Sequence, residues 1–222
     1  MRVHHVPVRR TQRVQLPRDW LAQLPPTLCL ATTSQFLDQL ESMQAQLEAA
    51  GKQVIRYQQR HTWQEGQVLG CSTDALDAPA FLFVGEGLFH PQALAYANEK
   101  PVYTYDPVAE RAGIVPLEEI ERRKMKRKAG IASFHHASRA GVLVSTKAGQ
   151  RDLAALQRLR EQYPEKTFYA FLGNTLSLQN LEDFPFVQVW LNTACPRIGY
   201  DDIDKVEKPL VNAEDVLQGH RF

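Results

Sequence analysis

Cysteine, long apolar runs and net charge are all scarce in this sequence. Three cysteines among 222 residues are a low and odd number, which argues against a disulfide framework and favours a reducing, cytoplasmic compartment. No apolar run approaches the roughly 20 residues that a membrane-spanning helix needs. The net charge of +1 provides no overall field that would attract nucleic acid or a membrane surface. We therefore expect neither of these as a partner.

Several local motifs with known chemistry are also missing. The sequence contains no Cys-x-x-Cys pair and no His-x-x-x-His pair, so the ligand spacing of a structural zinc site is absent. It has no G-x-G-x-x-G or Walker sequence after its first predicted strand, which disfavours a generic nucleotide-binding protein. Any joint role of distant side chains must therefore come from folding and not from a local motif.

Short apolar runs alternate with helical patterns along most of the chain. This alternation is typical of α/β domains in which helices cover both faces of a parallel sheet. Apolar spacing predicts a helix that buries one face and stops at Gly51, a short helix over 91–98, a charged helix over 117–139 and a helix through Leu159. The predicted strands are 28–33, 54–57, 80–84, 102–105, 141–145, 167–172 and 187–191.

The two halves of this pattern look like copies of each other. The segment 28–35 parallels 142–150, Lys100-Pro101 parallels Lys208-Pro209, and the strand at Phe81 parallels the run at Val187. A near-constant offset of about a hundred residues indicates a duplicated unit. We therefore predict two similar small α/β domains, over 25–116 and 117–222. The preceding residues 1–24 do not form an independent unit and are predicted to be an arm.

The three cysteines occupy different local settings. Cys29 lies within an apolar strand, where a thiol usually packs as a small hydrophobe. Cys71 follows Gly70 and Cys195 precedes Pro196, and both lie in short turns beside apolar runs. Thiolates are soft ligands that suit iron–sulfur clusters, zinc or copper. From the residues alone, two unrelated cysteines remain the competing interpretation.

Other polar candidates carry weaker signals. Gln150 follows Lys147-Ala-Gly149 and is predicted to open a helix whose backbone N–H groups could cradle an anion. Arg197 could hold a carboxylate in a forked contact beside Cys195, although a structural pair with Asp201 or Asp202 is the alternative.

The histidines and the basic run favour structural roles. A loop histidine bonded to backbone is the commoner interpretation of His90, and a helix C-terminus favours the cationic pair His135-His136. The basic run 122–128 is predicted to be a solvated helix face.

An ordered set of motifs resembles one enzyme family, the 2-(3-amino-3-carboxypropyl)histidine synthases of the first step of diphthamide biosynthesis. The motifs run in order over nearly the whole chain from about residue 25, and as a set they are specific to this family. They are Ala31-Thr-Thr-Ser-Gln35-Phe, Gly66-Gln-Val-Leu-Gly-Cys71, Phe81-Leu-Phe-Val-Gly-Glu-Gly-Leu-Phe-His-Pro91, Lys100-Pro-Val-Tyr-Thr-Tyr-Asp-Pro107, Val144-Ser-Thr-Lys-Ala-Gly-Gln150 and Asn192-Thr-Ala-Cys-Pro-Arg-Ile198.

The resemblance implies a site and a reaction. Family members have three similar α/β domains, each of which gives one cysteine to a [4Fe–4S] cluster that binds S-adenosylmethionine. Non-canonical radical chemistry then transfers a 3-amino-3-carboxypropyl group to a histidine of translation elongation factor 2. By resemblance, Cys71 and Cys195 are the second-domain and third-domain ligands. Gln150, Arg197 and Asn174 are expected to face the methionine part of the cofactor.

The resemblance also implies a shortened member of the family. The chain matches the second and third domains, and residues 1–24 match a remnant of the first, so one of three cysteine ligands is missing. The implied function is a transferase or a transferase subunit that acts as a homodimer or as a heterodimer with a related synthase chain. The alternative is a cluster-free, non-catalytic binding module or accessory subunit of a full-length synthase.

Overall fold

The computed structural model of the chain describes Val6 and residues 8–71 and 75–218. It divides into two compact units, Met1–Ile120 and Glu121–Phe222, and the chain passes from one to the other within a single helix. Each unit contains one β-sheet flanked by helices. The architecture is therefore α/β with two similar domains, as the sequence pattern predicts.

The sheet of the first unit has five strands in the order β2-β1-β3-β4-β5. The first four strands are parallel, and β5 is antiparallel to β4. The central strands β1 and β3 are almost entirely buried, which explains their uninterrupted apolar sequences. The strands are β1 (Thr27–Thr32), β2 (Gln53–Ile55), β3 (Phe81–Val84), β4 (Val102–Asp106) and β5 (Arg111–Ile114).

The sheet of the second unit has four parallel strands in the order β7-β6-β8-β9. Strands β6 and β8 lie in the centre and are buried, whereas the outer strand β7 is exposed or half-buried at every position except Phe168. The strands are β6 (Arg139–Ser145), β7 (Thr167–Gly173), β8 (Val189–Asn192) and β9 (Leu210–Asn212).

Seven α-helices connect and cover these strands in the described part of the chain. The first buried helical face predicted from the sequence is confirmed, because Leu40, Met43 and Leu47 are fully buried and Gly51 ends the turn with φ +76°. The helices are α1 (Arg18–Leu21), α2 (Leu40–Ala49), α3 (Phe89–Asn98), α4 (Leu117–His136), α5 (Leu153–Gln162), α6 (Ile198–Asp201) and α7 (Ala213–Leu217). Within the described ranges, no helix is long and apolar enough to cross a bilayer.

The two sheets share one topology. In each unit the second strand in sequence lies on one side of the first, and the third and fourth strands lie on the other side. The strand order therefore reverses between β1 and β3 and again between β6 and β8. Such a switch point leaves a crevice at the carboxyl ends of the strands, where open α/β sheets bind their ligands.

The described part of the N-terminal segment packs against the first unit. Its apolar side chains join the core that contains α2, and Val14 and Leu16 are buried there. The Gln39 side chain donates to the carbonyl of Gln12 (2.7 Å) and accepts from the N–H of Val14 (2.7 Å). Gln46 lies seven residues, or about two helical turns, after Gln39. Its side chain accepts from the N–H of Leu16 (2.9 Å) and so holds the segment at a second point.

Candidate functional site

The Cys195 turn begins where β8 ends and is held by a buried asparagine. The Asn192 Nδ2 donates to the Cys195 carbonyl (2.9 Å) and to Oδ1 of Asn212 (2.7 Å), and Asn192 Oδ1 accepts from the N–H of Ala194 (3.1 Å). The Thr193 N–H and hydroxyl both donate to the carbonyl of Leu143 in β6. These bonds position the turn that carries the Cys195 sulfur.

A second asparagine supports the same turn from β9. Asn212 is the register partner of Asn192 across the β8–β9 pair, and its Nδ2 donates to the Pro196 carbonyl (3.0 Å). Gly199 packs so closely on Asn212 that any Cβ at this position would overlap the amide. Asn192 and Asn212 are both buried, and our sequence reasoning gave neither a role. A polar residue at the end of an apolar strand was the available signal.

Arg197 follows Cys195 by two residues in the sequence and forms an ion pair with Asp201. Arg197 is only 4% exposed, and its Nε donates to Asp201 Oδ2 (2.7 Å). Asp201 Oδ1 also accepts from Arg123 of α4 (2.6 Å). The structural pair with Asp201, predicted as the alternative for Arg197, is thus present.

The basic run of α4 is solvated in part, and several of its cations pair with carboxylates. Arg122 and Lys126 both pair with Asp204, and Arg127 pairs with the buried Asp215 (2.7 Å). Hydrogen bonds from Lys126 and, to a smaller extent, Arg122 lower the pKa of Asp204. The exposed cations of the run fit the solvated-face interpretation, but Arg123 and Arg127 are half-buried. The sequence did not indicate this because their carboxylate partners lie 78 and 88 residues further along the chain.

Gln150 and Asn174 lie on loops that follow two neighbouring strands of the sheet that carries the Cys195 turn. Gln150 follows β6 and Asn174 follows β7, and both residues are exposed. Gln150 lies in a turn and does not open the helix as predicted, because Asp152 caps α5 by accepting from the N–H of Ala155 (2.9 Å). The carboxyl edge of this sheet therefore carries Asn174, Gln150, Cys195 and Arg197 on three adjacent loops.

Cys71 lies at the corresponding edge of the first sheet. Gln67 forms a parallel bridge with Thr32, the last residue of β1, and Val68 donates to the Thr32 carbonyl (2.9 Å). Gly70 packs directly under the ring of Phe89, the first residue of α3, so a Cβ at this position would overlap that ring. Cys71 follows and is exposed. The end of β1 and the start of α3 thus hold the Cys71 turn.

The third cysteine has a different environment. Cys29 is 2% exposed within β1, and burial raises the pKa of its thiol to about 12. A buried thiol that resists ionisation is a core side chain and a poor metal ligand, as the sequence predicts. None of the three cysteines forms a disulfide. Over the described ranges, no group of three or more His, Cys, Asp and Glu side chains is placed to hold a metal ion.

His90 and His135 lie in aromatic clusters. His90 stacks on the buried Phe83 ring at 5.9 Å and meets Phe89 edge-on at 5.3 Å. His135 packs against Phe134 near the end of α4.

Known proteins resemble this chain over nearly its full length. The family model of diphthamide synthesis proteins matches residues 1–217. The 2-(3-amino-3-carboxypropyl)histidine synthase of Pyrococcus horikoshii is 34% identical over 202 residues, which cover 88% of this chain and 58% of that protein. Subunit 1 of the human enzyme of that name is 28% identical over 196 residues, which cover 84% of this chain and 44% of the subunit.

Solved structures agree with the sequence relatives. The crystal structure of Dph2 from Pyrococcus horikoshii with a 4Fe-4S cluster superposes with a TM-score of 0.74 at 30% identity, covering 90% of this chain and 59% of Dph2. A second crystal structure of that Dph2 gives a TM-score of 0.75. The chain spans about half the length of the curated relatives it matches. On the family match and the fold, this chain belongs to the diphthamide synthesis protein family.

Proposed function

We propose that this chain is a subunit of an iron–sulfur transferase that moves a 3-amino-3-carboxypropyl group from S-adenosylmethionine to a histidine of translation elongation factor 2. Cys71 and Cys195 are the proposed ligands of one [4Fe–4S] cluster. We further propose that residues 1–24 correspond to the end of the family's first domain. A partner chain, a homodimer mate or a related synthase, then completes the site.

One observation carries this proposal: each candidate cysteine lies at the carboxyl-edge switch point of its own sheet. Cys195 follows β8, and the segment that leads to Cys71 pairs with the end of β1 through Gln67. Cys29 is instead buried inside β1. Switch points are the ligand-binding positions of open α/β sheets. The relative with a similar fold and a named 4Fe-4S cluster supports iron–sulfur ligation as the use of these two positions.

The residues present fit two of the thiolate ligands of such a cluster. Thiolates bind iron–sulfur clusters, and turns that leave a sulfur partly accessible suit ligation. Cys71 is exposed and Cys195 is half-buried, so both can reach a ligand. Because Cys29 is buried and hard to ionise, it does not fit as a third ligand. We propose that the third ligand comes from a partner chain, water or a small molecule.

The remaining proposed site residues come from the second sheet edge. When bound, a [4Fe–4S] cluster would supply an electron to S-adenosylmethionine. Gln150 and Asn174 offer amide groups on exposed loops, which suit the amino and carboxylate groups of the methionine part. Arg197 is held beside Cys195 by Asp201, so its charge is fixed near the proposed cofactor position. The role of these three residues would be to bind and orient the cofactor.

A second function is a cluster-free accessory subunit that stabilises a full-length synthase or binds its substrate protein. The burial of Cys29, which leaves Cys71 and Cys195 as the two candidate thiols, favours this alternative. The two functions differ in whether Cys71 and Cys195 matter. An accessory subunit would bind its partner equally well when both cysteines are replaced.

The transfer reaction itself tests the proposal. Anaerobic protein would be incubated with dithionite, elongation factor 2 and S-adenosylmethionine labelled in the carboxylate, alone and with a full-length relative. The proposal predicts label on elongation factor 2 that falls at least about tenfold in Cys71→Ala and in Cys195→Ala, but not in Cys29→Ala. Equal labelling with and without this chain, or with both cysteines replaced, would overturn it and favour the accessory function.

A further inference from the structure

The basic face of α4 is matched to acidic residues that follow the Cys195 turn. Counted from the first of its four cations, the other three lie one, four and five residues further along, so the four share one side of the helix. All four pair with carboxylates between residues 201 and 215. The four are Arg122, Arg123, Lys126 and Arg127.

The inner and outer pairs of this face differ in burial. The outer pair, Arg122 and Lys126, contacts Asp204, and the Arg122 side chain is 53% exposed. Exposed pairs of this kind contribute little to stability. The inner Arg123 side chain is 14% exposed, and its carboxylate partner is Asp201 at 2.6 Å. This pair is half-buried, and charge-assisted hydrogen bonds away from bulk water are stronger than exposed ones and fix geometry.

Asp201 connects α4 to the residue behind the cysteine. One carboxylate oxygen accepts from Arg123, and the other accepts from Nε of Arg197 (2.7 Å). Arg123 also approaches the Tyr200 carbonyl at 3.4 Å. Helix α6, which contains Asp201, starts at Ile198, whose N–H donates to the Cys195 carbonyl (3.0 Å). The turn is thus held by β8 and β9 on one side and by α4 on the other.

We propose that Arg123 is a positioning residue for the Cys195 turn: through Asp201 it orients Arg197 and limits opening of the segment that presents the Cys195 sulfur. This inference rests on the proposed function for its biological purpose, but the positioning itself concerns residues of the second unit alone. It assigns a role in the site to a residue of the basic run of α4.

Thiol labelling measures this positioning without a cluster. Iron-free protein carrying Cys71→Ser leaves Cys195 as the accessible thiol, because Cys29 is buried. The rate of labelling by a chromogenic disulfide reagent then reports how accessible the Cys195 sulfur is and how freely its turn moves. Arg123→Gln should raise this rate about tenfold, since it removes a charge-assisted bond to Asp201. Arg123→Lys keeps the charge and should give an intermediate rate.

Two controls separate positioning from stability. Arg122→Gln removes a neighbouring cation that pairs with Asp204 and should leave the rate unchanged. Lys166→Met removes bonds to the Ala137 and His135 carbonyls at the amino edge of the same sheet, so it should lower stability without accelerating labelling. A rate for Arg123→Gln equal to that of either control would overturn the inference.

The outcome is independent of the cluster. If the chain never takes up iron but Arg123→Gln labels faster, the proposed function fails and the positioning stands. If iron is bound through Cys195 but labelling is unchanged by Arg123→Gln, the function stands and the positioning fails.

Discussion

The Cys195 turn and the Cys71 turn lie at the same kind of sheet edge but are held by different means. Two buried asparagines hold the backbone of the Cys195 turn through side-chain hydrogen bonds. The Cys71 turn is held by a backbone bridge to β1 and by the Phe89 ring on Gly70. Phe89 is 49% exposed, whereas Asn192 is 2% exposed. The Cys195 turn therefore depends on buried polar contacts, and the Cys71 turn depends on packing at the surface.

The two units share the same order of parallel strands, but they carry their cysteines on different loops. Cys195 follows β8, the third strand of its unit, whereas Cys71 precedes β3, the third strand of the other. Duplication of a unit fixes the switch point, since the switch point follows from strand order. Each unit then reaches that point with a cysteine from a different loop.

The largest expected effect comes from breaking the buried asparagine pair. Asn192→Ala removes three hydrogen bonds and leaves Asn212 and the Cys195 carbonyl without this partner in a buried setting. We expect a loss of about 3 kcal/mol in the free energy of unfolding of the second unit. Asn98→Ala is the matched control in the first unit, where two bonds of a half-buried asparagine should cost about 1 kcal/mol. Urea titration of both variants measures the difference, and equal losses would contradict it.

Replacing the glycine beside each turn by alanine should cost more stability at the Cys195 turn than at the Cys71 turn. Gly199→Ala would press a methyl group onto the fixed amide of Asn212, which we expect to cost about 2 kcal/mol. Gly70→Ala would meet the half-exposed ring of Phe89, which can rotate away, so the cost should stay below about 1 kcal/mol. Melting temperatures of the two variants report the ranking. A larger loss for Gly70→Ala would show that the Cys71 turn is the more tightly packed of the two.

The buried thiol predicts a pH effect confined to the first unit. Burial raises the pKa of Cys29 to about 12, so between pH 9 and pH 12 the folded chain keeps a proton that the unfolded chain has lost. Stability must therefore fall as pH rises through this window. We expect Cys29 to account for about 1 kcal/mol of the loss at pH 9.5. The measurement is the pH dependence of unfolding in the wild type minus that in Cys29→Ala, and parallel curves would refute it.

The smallest expected effect concerns the N-terminal segment. Gln39→Ala removes side-chain bonds to Val14 and Gln12 at the surface of the first unit. Global stability should fall by less than about 1 kcal/mol, but the segment should open locally. Trypsin cleavage after Arg13 should accelerate several-fold relative to Gln23→Ala, which loses one exposed bond to the Asp19 carbonyl. Unchanged cleavage would mean that the buried apolar side chains alone hold the segment.

Sequence patterns predicted the scaffold better than the site. Burial on both faces produces the apolar runs that placed β1, β3 and β6, because a buried strand must be apolar along its length. Strand β5 was missed because all four of its residues are exposed and carry no such run. The contacts of Asn192 with Asn212, and of Arg123 with Asp201, join residues distant in the sequence and have no local period. Only the fold brings such partners together.

Iron binding by cysteine variants tests the central claim most directly. Each protein would be reconstituted anaerobically with iron, sulfide and excess dithiothreitol, then desalted and assayed for iron and visible absorbance. The account predicts brown wild-type protein and brown Cys29→Ala, with about four irons per cluster. It predicts loss of most iron and absorbance in both Cys71→Ala and Cys195→Ala. Colourless wild-type protein, or equal iron in all four proteins, would contradict it.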